Sequence, residues 1–285
     1  MELWYTEEWT NEVRLGIKVK NHLFSKQSDF QQIDLFDSYE FGKILTIDGL
    51  MMVNEKDEFI YHDMMVHPAM ATNPDIKRVL VIGAGDGGTV RELTRYERIE
   101  QIDMVEIDEV VTRACQAHLP LTASKLEDPR VNLIFDDGLK FVKAAQADSY
   151  DLVIVDSTDP ISVGAGLFTA QFYTDCYRIL SAHGILVNQH ESPYFERFAK
   201  EMQRAHRKIA HLFQVAEVYQ AHIPTYPSGH WLFGFASKGL HPVKDVQVKR
   251  WRELGLVTRY YNTDLHVGAF ALPTYVKEML ADATN

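Results

Sequence analysis

The chain has 285 residues, of which 46% are hydrophobic and 24% charged, a composition typical of folded globular proteins that excludes collagen-like and disordered classes. The 40 acidic residues outnumber the 29 basic ones, and the net charge of −11 argues against a duplex-DNA binder, because such proteins carry a basic surface. No apolar run approaches the length of a membrane span, so we predict a cytoplasmic protein with neither a membrane nor nucleic acid as its partner.

The first 65 residues are predicted to form a small β domain. Residues 13–19 alternate between apolar and polar side chains, residues 33–36 indicate a short strand, and residues 43–53 hold Asp48-Gly49 between two apolar runs. An Asp-Gly pair in that setting predicts a β-hairpin, because both turn positions tolerate positive φ. Helical spacing follows over residues 55–72, and Pro74 ends it.

From residue 78 onward, apolar strands alternate with amphipathic helices. The predicted strands are 78–82, 102–107, 131–135, 151–155 and 184–188, and the predicted helices are 89–96, 109–119, 138–147 and 170–180. Ser192-Pro193 is predicted to begin another long helix, with Ser as N-cap and Pro at the first helical position. This alternation indicates a parallel sheet covered by helices on both faces.

Two further strands, 216–223 and 231–237, are predicted to close the sheet as an antiparallel hairpin. Such a closing hairpin is more usual in methyltransferase-type sheets than in dinucleotide dehydrogenases. We therefore predict an α/β fold with two parts. Residues 1–65 form the small N-terminal β domain, and residues 66–285 form a methyltransferase-like (Rossmann-like), mostly parallel sheet.

A glycine-rich turn, GAGDGG over residues 83–88, follows the first parallel strand. Ligands of parallel sheets bind beyond the carboxyl ends of the strands, and glycines let the backbone approach a ligand closely. The GxGxxG spacing alone is a weak signal, because a tight strand-to-helix turn also explains it. Asp86 inside the turn is more informative, since its carboxylate repels a pyrophosphate and suits a neutral or cationic group.

Acidic residues also follow the other strands. Glu106 lies 23 positions beyond Gly83, where an acid accepts hydrogen bonds from ribose hydroxyls. Asp137 suits either an adenine amine or the capping of the next helix. Asp156 and Asp159 stand three positions apart before a glycine-rich loop. They form either a pair of ligand-binding carboxylates, or a solvated strand end (Asp156) followed by a residue that caps the next turn (Asp159).

These acids predict a strand-end surface that attracts cations. A metal is one candidate ligand, but the loops lack the EF-hand pattern and no His joins the acids at ligand spacing. The two cysteines, Cys115 and Cys176, form no CxxC motif, so neither a zinc site nor a disulfide framework is expected. An organic polycation bound beside a nucleoside fits the pattern better.

The motifs resemble those of the polyamine aminopropyltransferases, and of spermidine synthases in particular. The resemblance covers nearly the whole chain. It rests on GAGDGG at 83–88, VEID at 105–108, DDG at 136–138, DSTDP at 156–160, DEFIYH at 57–62, IPTYPSG at 223–229, YYN at 260–262 and AFALP at 269–273.

The resemblance implies transfer of an aminopropyl group from decarboxylated S-adenosylmethionine to putrescine, giving spermidine and methylthioadenosine. It implies no metal, no cofactor besides that co-substrate, and a homodimer or homotetramer. Asp156 would accept the proton. The diamine or aminopropyl group would contact Tyr61, His62, Asp86, Asp159 and Tyr226, and the nucleoside would contact Gln31, Gly83, Gly85, Glu106, Asp137, Gly138 and Val163.

The sequence departs from the family pattern in the loop that would close over the site. Family members usually carry Pro at the position of Val163 and an acidic-Ser pair near Ala165-Gly166. The alternatives are an S-adenosylmethionine-dependent methyltransferase, a non-catalytic polyamine-binding protein on the same fold, and a nicotinamide dehydrogenase. The methyltransferase is disfavoured by Asp86, which would repel the carboxylate of S-adenosylmethionine. The non-catalytic binding protein is disfavoured by the presence of both Asp156 and Asp159 after the predicted strand 151–155.

Overall fold

Residues 2–157 and 163–284 are described by the computed structural model, and two sheets organise them. The first sheet is antiparallel, with its strands in chain order: β1 (Leu3–Glu8), β2 (Arg14–Gln27), β3 (Gln32–Ser38), β4 (Lys43–Ile47) and β5 (Leu50–Asn54). The Asp48-Gly49 hairpin is confirmed, with φ values of 50° and 80° at the two turn residues. The strand expected over 13–19 continues to Gln27.

A buried helix, α1 (Glu58–Thr72), connects the two sheets. All but one of its side chains are buried, so it packs on every side. Asp57 precedes it and accepts hydrogen bonds from Asn54 Nδ2 at 2.6 Å and Thr225 Oγ1 at 2.8 Å, which joins β5, α1 and a distant loop. The boundary predicted between residues 65 and 66 falls inside this helix and stays a prediction.

The second sheet confirms the predicted fold class. Its strands are β6 (Arg78–Gly83), β7 (Gln101–Glu106), β8 (Val131–Phe135), β9 (Tyr150–Asp156), β10 (Leu180–Gln189), β11 (Val215–His222) and β12 (His230–Ser237). They lie in the order β11-β12-β10-β9-β6-β7-β8. Strands β6 to β10 are mutually parallel, β12 is antiparallel to β10, and β11 is antiparallel to β12. The chain order reverses at β6, between β7 and β9, so the carboxyl ends of these strands form the switch point where ligands bind in such sheets.

Helices connect the parallel strands, as the alternation predicted. They are α2 (Gly88–Thr94), α3 (Glu109–His118), α4 (Gly138–Ala144), α5 (Ala170–Ile179) and α6 (Glu196–Ala210), followed after β12 by α7 (Val248–Glu253), α8 (Thr263–Ala269) and α9 (Thr274–Thr284). Asp63 of α1 anchors the later segment, because its Oδ2 accepts the backbone N–H groups of Arg259, Tyr260 and Tyr261 at 2.8–3.1 Å.

The start of the predicted helix at Ser192-Pro193 is wrong. The helix α6 begins at Glu196, and Phe195 occupies the N-cap position. The Ser192 hydroxyl lies 2.9 Å from that of Ser228 in the β11–β12 loop, and Glu191 has a φ of 67°. The backbone around Ser192 is therefore held outside helical geometry by a contact distant in sequence.

Within the described residues, no helix is both long and apolar enough to cross a membrane. The two cysteines lie buried in α3 and α5 with free thiols, in the helices predicted for them.

The turn after β6 yields a test of the fold. Gly83 has a φ of 84°, and a Cβ there would lie 2.0 Å from the carbonyl oxygen of Asp156. We expect Gly83→Ala to lose about 3–4 kcal/mol of unfolding free energy, because a left-handed backbone and a steric clash add together. Urea denaturation measures this loss.

Gly49→Ala is the matched control. Gly49 has a similar φ of 80°, but its added Cβ would meet no atom within 4 Å. It should lose only the backbone contribution of about 1–2 kcal/mol. Equal losses in the two variants would contradict the close approach of β6 to β9.

Candidate active site

The glycine-rich turn brings the ends of β6 and β9 together. The backbone N–H of Ala84 donates to the carbonyl oxygen of Asp156 at 2.8 Å. Gly83, Ala84 and Gly87 all have positive φ, a conformation that glycine adopts most readily. The turn therefore exposes Asp86 at the switch point, beside the carboxylate that ends β9.

Asp156 is the half-buried acid at the centre of this region. The Tyr61 hydroxyl donates to its Oδ1 at 2.7 Å, and the Thr89 hydroxyl donates to its Oδ2 at 2.6 Å. Burial raises the pKa of Asp156, and the negative charge of Asp86 raises it further, while His62 and the two hydroxyls act in the opposite direction. The result is a carboxylate of fixed orientation and increased basicity.

His62 lies beneath the turn, between two carboxylates. Its Nδ1 is 2.6 Å from Glu58 Oε2, and its Nε2 is 3.3 Å from Asp86 Oδ1. Burial lowers the pKa of His62, but the two carboxylates outweigh burial and raise that pKa well above its usual value. Arg91 of α2 donates to both carboxylate oxygens of Glu58 at 2.9–3.0 Å.

A second acidic position lies at the end of β7. Glu106 is buried, and its Oε1 accepts the backbone N–H of Asp108 at 2.9 Å. Burial raises the pKa of Glu106 to about 7. Asp108 caps α3 and accepts hydrogen bonds from Ser28 Oγ at 2.6 Å and Gln31 Nε2 at 3.1 Å, which links the loop between β2 and β3 to this end of the site.

The acids after β8 occupy two different positions. Asp137 lines the cleft and also caps α4, accepting the backbone N–H of Leu139 at 2.9 Å. Asp136 is exposed and does not line the cleft. Gly138 begins α4, and a Cβ there would lie 2.7 Å from the side chain of Ile82, so the cleft wall leaves no space for a larger residue.

Aromatic rings form the opposite wall. Tyr61 lies with its ring centre 5.9 Å from that of Tyr226, whose hydroxyl donates to the carbonyl oxygen of Met52 at 2.6 Å. A second cavity of about 470 Å³, including space open to solvent, adjoins these rings and is lined in part by Glu7, Gln189 and Trp231. Tyr61, Ser157, Tyr226 and Met52 border both spaces, so the two adjoin.

The main cleft has a volume of about 1130 Å³, including space open to solvent. It brings together most of the residues predicted from the sequence: Gln31, Tyr61, His62, Gly83, Gly85, Asp86, Glu106, Asp137, Gly138, Asp156 and Tyr226. Asp159 lies outside the described residues. Val163 begins a short 3₁₀ turn (Val163–Phe168), and the cleft lining includes Gly164 and Leu167 of that turn.

Four residues at or beside the site were missed in the sequence. Glu58 precedes His62 by four residues on a helix, a spacing that could have indicated their contact. Arg91 and Thr89 lie in the first turn of α2, where their orientation depends on how that helix packs against α1 and β9. Glu7 comes from the edge strand β1, and no local pattern connects it to the parallel sheet.

Comparison with known proteins shows similarity to one protein family along nearly the whole chain. A family model for the spermine/spermidine synthase domain matches residues 58–247, and one for the spermidine synthase tetramerisation domain matches residues 3–55. A polyamine aminopropyltransferase of Clostridium botulinum (strain Alaska E43 / Type E3) is 66% identical over 280 residues, which cover 98% of each chain. One of Clostridium beijerinckii is 61% identical over 285 residues, covering 100% of both chains.

Solved structures agree with these relatives. A spermidine synthase crystallised with the transition state analogue AdoDATO has a TM-score of 0.95 and 38% identity, covering 98% of this chain and 95% of its own. The spermidine synthase of Thermotoga maritima has a TM-score of 0.93 and 38% identity, with 98% and 94% coverage. Sequence, fold and site geometry agree: the chain belongs to the spermine/spermidine synthase family and is a polyamine aminopropyltransferase.

Proposed function

We propose that this enzyme transfers the aminopropyl group of decarboxylated S-adenosylmethionine to putrescine, giving spermidine and methylthioadenosine. The observation that carries the proposal is the half-buried Asp156 carboxylate, oriented by Tyr61 and Thr89 within the same cleft as Asp86. Two carboxylates at one switch point suit a reaction that brings two cations together.

The chemistry requires a base for the amine. An alkylamine is mostly protonated at neutral pH, and freeing it costs about 4 kcal/mol for roughly three pKa units. Asp156 takes one proton from the attacking amine, whose nitrogen then forms a bond to the methylene carbon next to the sulfonium. The C–S bond breaks with its electron pair on sulfur, so methylthioadenosine leaves as a neutral thioether and needs no general acid.

The donor is proposed to occupy the main cleft. Glu106 would accept hydrogen bonds from the ribose hydroxyls, and Asp137 with the Gly138 amide would bind the adenine. Gln31, already fixed by Asp108, would contact the nucleoside from the side of the N-terminal sheet. Gly83, Gly85 and the backbone of Val163 would let the nucleoside approach the protein backbone closely. Asp86 would bind the ammonium of the aminopropyl group.

The acceptor is proposed to extend from Asp156 into the second cavity. Tyr61 and Tyr226 would contact its methylene chain, with His62 and Asp159 completing the contacts near the reacting end. Glu7 is buried and lines that cavity, where a carboxylate suits the second ammonium of a diamine. Asp156 in the main cleft and Glu7 in the adjoining cavity together favour a diamine over a monoamine.

We further propose that the enzyme assembles as a homodimer or homotetramer through its N-terminal sheet. The family model that matches this sheet is described as a tetramerisation domain. Leu3 and Trp4 of β1 are exposed, with Trp4 56% accessible. Exposed apolar side chains on an edge strand are typical of an interface. The cytoplasmic location stays a prediction.

The direct test is the release of methylthioadenosine from decarboxylated S-adenosylmethionine with putrescine, cadaverine, agmatine or spermidine as acceptor. We expect release with putrescine to be far above the others. Asp156→Asn is the negative control, because the amide keeps the shape but accepts no proton, and it should abolish transfer while methylthioadenosine still binds. Preference for another amine would overturn the putrescine assignment, and turnover by Asp156→Asn would remove Asp156 from its role.

The distal position is tested by Glu7→Gln. Losing the charge that faces the second ammonium should raise the KM for putrescine about tenfold or more, with kcat changed little, because hydrogen bonds to charged groups contribute about 1.5–3 kcal/mol. Glu8→Gln is the matched control, since the neighbouring Glu8 is exposed and pairs with Arg14. Equal KM values for the Glu7 variant and the unmodified enzyme would exclude Glu7 from the diamine site.

The hydroxyl of Thr89 is expected to set the basicity of Asp156. Thr89→Val removes one hydrogen bond that favours the carboxylate, so the pKa of Asp156 should rise and the acid limb of kcat against pH should move up by about one unit. Thr89→Ser should restore the limb. Thr112→Val is the control, because Thr112 is equally buried and its hydroxyl has no hydrogen-bond partner among the described residues. An unmoved limb in Thr89→Val would contradict this role.

A further inference from the structure

The contacts of the two ring nitrogens of His62 define the charge of this side chain. Each nitrogen faces a carboxylate oxygen, Glu58 Oε2 at 2.6 Å and Asp86 Oδ1 at 3.3 Å. An ionised carboxylate only accepts hydrogen bonds, whereas a neutral imidazole donates from one nitrogen alone. Nδ1 is hydrogen-bonded to Glu58 and Nε2 lies at ion-pair distance from Asp86, and both contacts are favourable together only when both nitrogens carry hydrogen, which makes His62 an imidazolium cation.

Hydrogen bonds and close packing fix the position of the His62 ring. Arg91 fixes Glu58 through two hydrogen bonds, and Glu58 in turn holds Nδ1. The ring packs so closely under Gly88 that a Cβ on that residue would lie 2.2 Å from a ring carbon. His62 itself is only 2% exposed, and its open direction is toward Asp86, which lines the cleft.

The charged groups around the ring come from four elements. Glu58 lies on α1, Arg91 on α2, Asp86 in the glycine-rich turn and Asp156 at the end of β9. His62 partly balances the charge of these two acids of the cleft, Asp86 and Asp156. A substrate ammonium that binds Asp86 must therefore share that carboxylate with a cation already in place.

We propose that the His62 imidazolium is the internal counter-ion of Asp86, and that binding of the donor's ammonium at Asp86 expels one proton from His62 Nε2 to solvent. The inference rests on the proposed function, which assigns Asp86 to the aminopropyl ammonium. The charge balances: one ammonium binds and one proton leaves, so the net charge of the cluster is unchanged. The hydrogen on His62 Nδ1 remains there and stays hydrogen-bonded to Glu58. His62 is thus a positioning residue that keeps the Asp86 carboxylate paired and oriented until the donor arrives.

Thermodynamic linkage gives the measurable consequence. Because the free enzyme holds one more proton than the complex, a higher pH favours binding. The affinity for the donor should rise by up to about tenfold per pH unit between the His62 pKa of the complex and that of the free enzyme. A neutral nucleoside that places no cation at Asp86 should show no such dependence from His62.

Isothermal titration calorimetry at pH 7 in phosphate and in Tris measures the proton release directly, since the two buffers differ in ionisation enthalpy. We expect decarboxylated S-adenosylmethionine to release about one proton more than methylthioadenosine, which lacks the ammonium. In His62→Gln that difference should disappear, because the amide donates to Asp86 but carries no titrating proton. His22→Gln is the matched control, since His22 also pairs with a carboxylate, Asp34 Oδ1 at 2.8 Å, but does not line the cleft.

The outcomes separate the two proposals. Binding of the donor with the same proton count as methylthioadenosine overturns the role of His62 and leaves the transferase function standing. A difference that persists in His62→Gln also overturns it, because another group then titrates. Failure of the donor to bind at all overturns the proposed function itself. Where His62→Gln does not fold, equal proton counts for the two ligands on the unmodified enzyme still overturn the proposal.

Discussion

The burial of negative charge at one switch point is the constraint on which this site depends. Asp156 and Asp86 end up close together because β6 and β9 are neighbours and the Ala84 amide bonds directly to the carbonyl of Asp156. Buried carboxylates are costly unless each is hydrogen-bonded or paired. The surrounding residues supply those partners: two hydroxyls for Asp156, and an imidazole and a backbone amide for Asp86.

Charge compensation continues outward from the cleft. Asp86 contacts His62, His62 contacts Glu58, and Glu58 contacts Arg91, which also reaches Glu92. Burial would raise the pKa of Glu58, but His62 and Arg91 together lower it to about 2. The alternation of signs lets the protein keep several ionised groups in a nearly dry interior, and it makes α1 and α2 a single electrostatic unit.

Much of this architecture could be predicted from the sequence, because local physics determines it. The Asp48-Gly49 hairpin, the glycine-rich turn and the acids after each parallel strand are all encoded within a few residues of where they act. The aspartates alone also indicated a cationic ligand, and the wider motifs indicated the family. Features that depend on residues close together in the sequence could therefore be predicted.

The errors and omissions share one cause, which is contact between residues distant in sequence. Ser192 looked like a helix cap, but its hydroxyl meets Ser228, 36 residues away. Thr89 and Arg91 acquire their partners only when α2 packs against β9 and α1. Glu7 reaches the second cavity because the N-terminal sheet folds over the parallel one, and no periodicity within β1 encodes that position.

The second cavity has a wall of mixed origin. Leu50, Met51 and Met52 of β5 and Glu7 of β1 line it from the N-terminal sheet, while Asp156 and Tyr61, to which we assign the reaction, lie on the parallel sheet and α1. In the proposed placement of the acceptor, amine length and chemical step are encoded in different parts of the chain. Substitutions in the N-terminal sheet could give descendants of this enzyme a longer or shorter acceptor while the transfer machinery stays unaltered, so substrate range and catalysis can diverge independently during evolution.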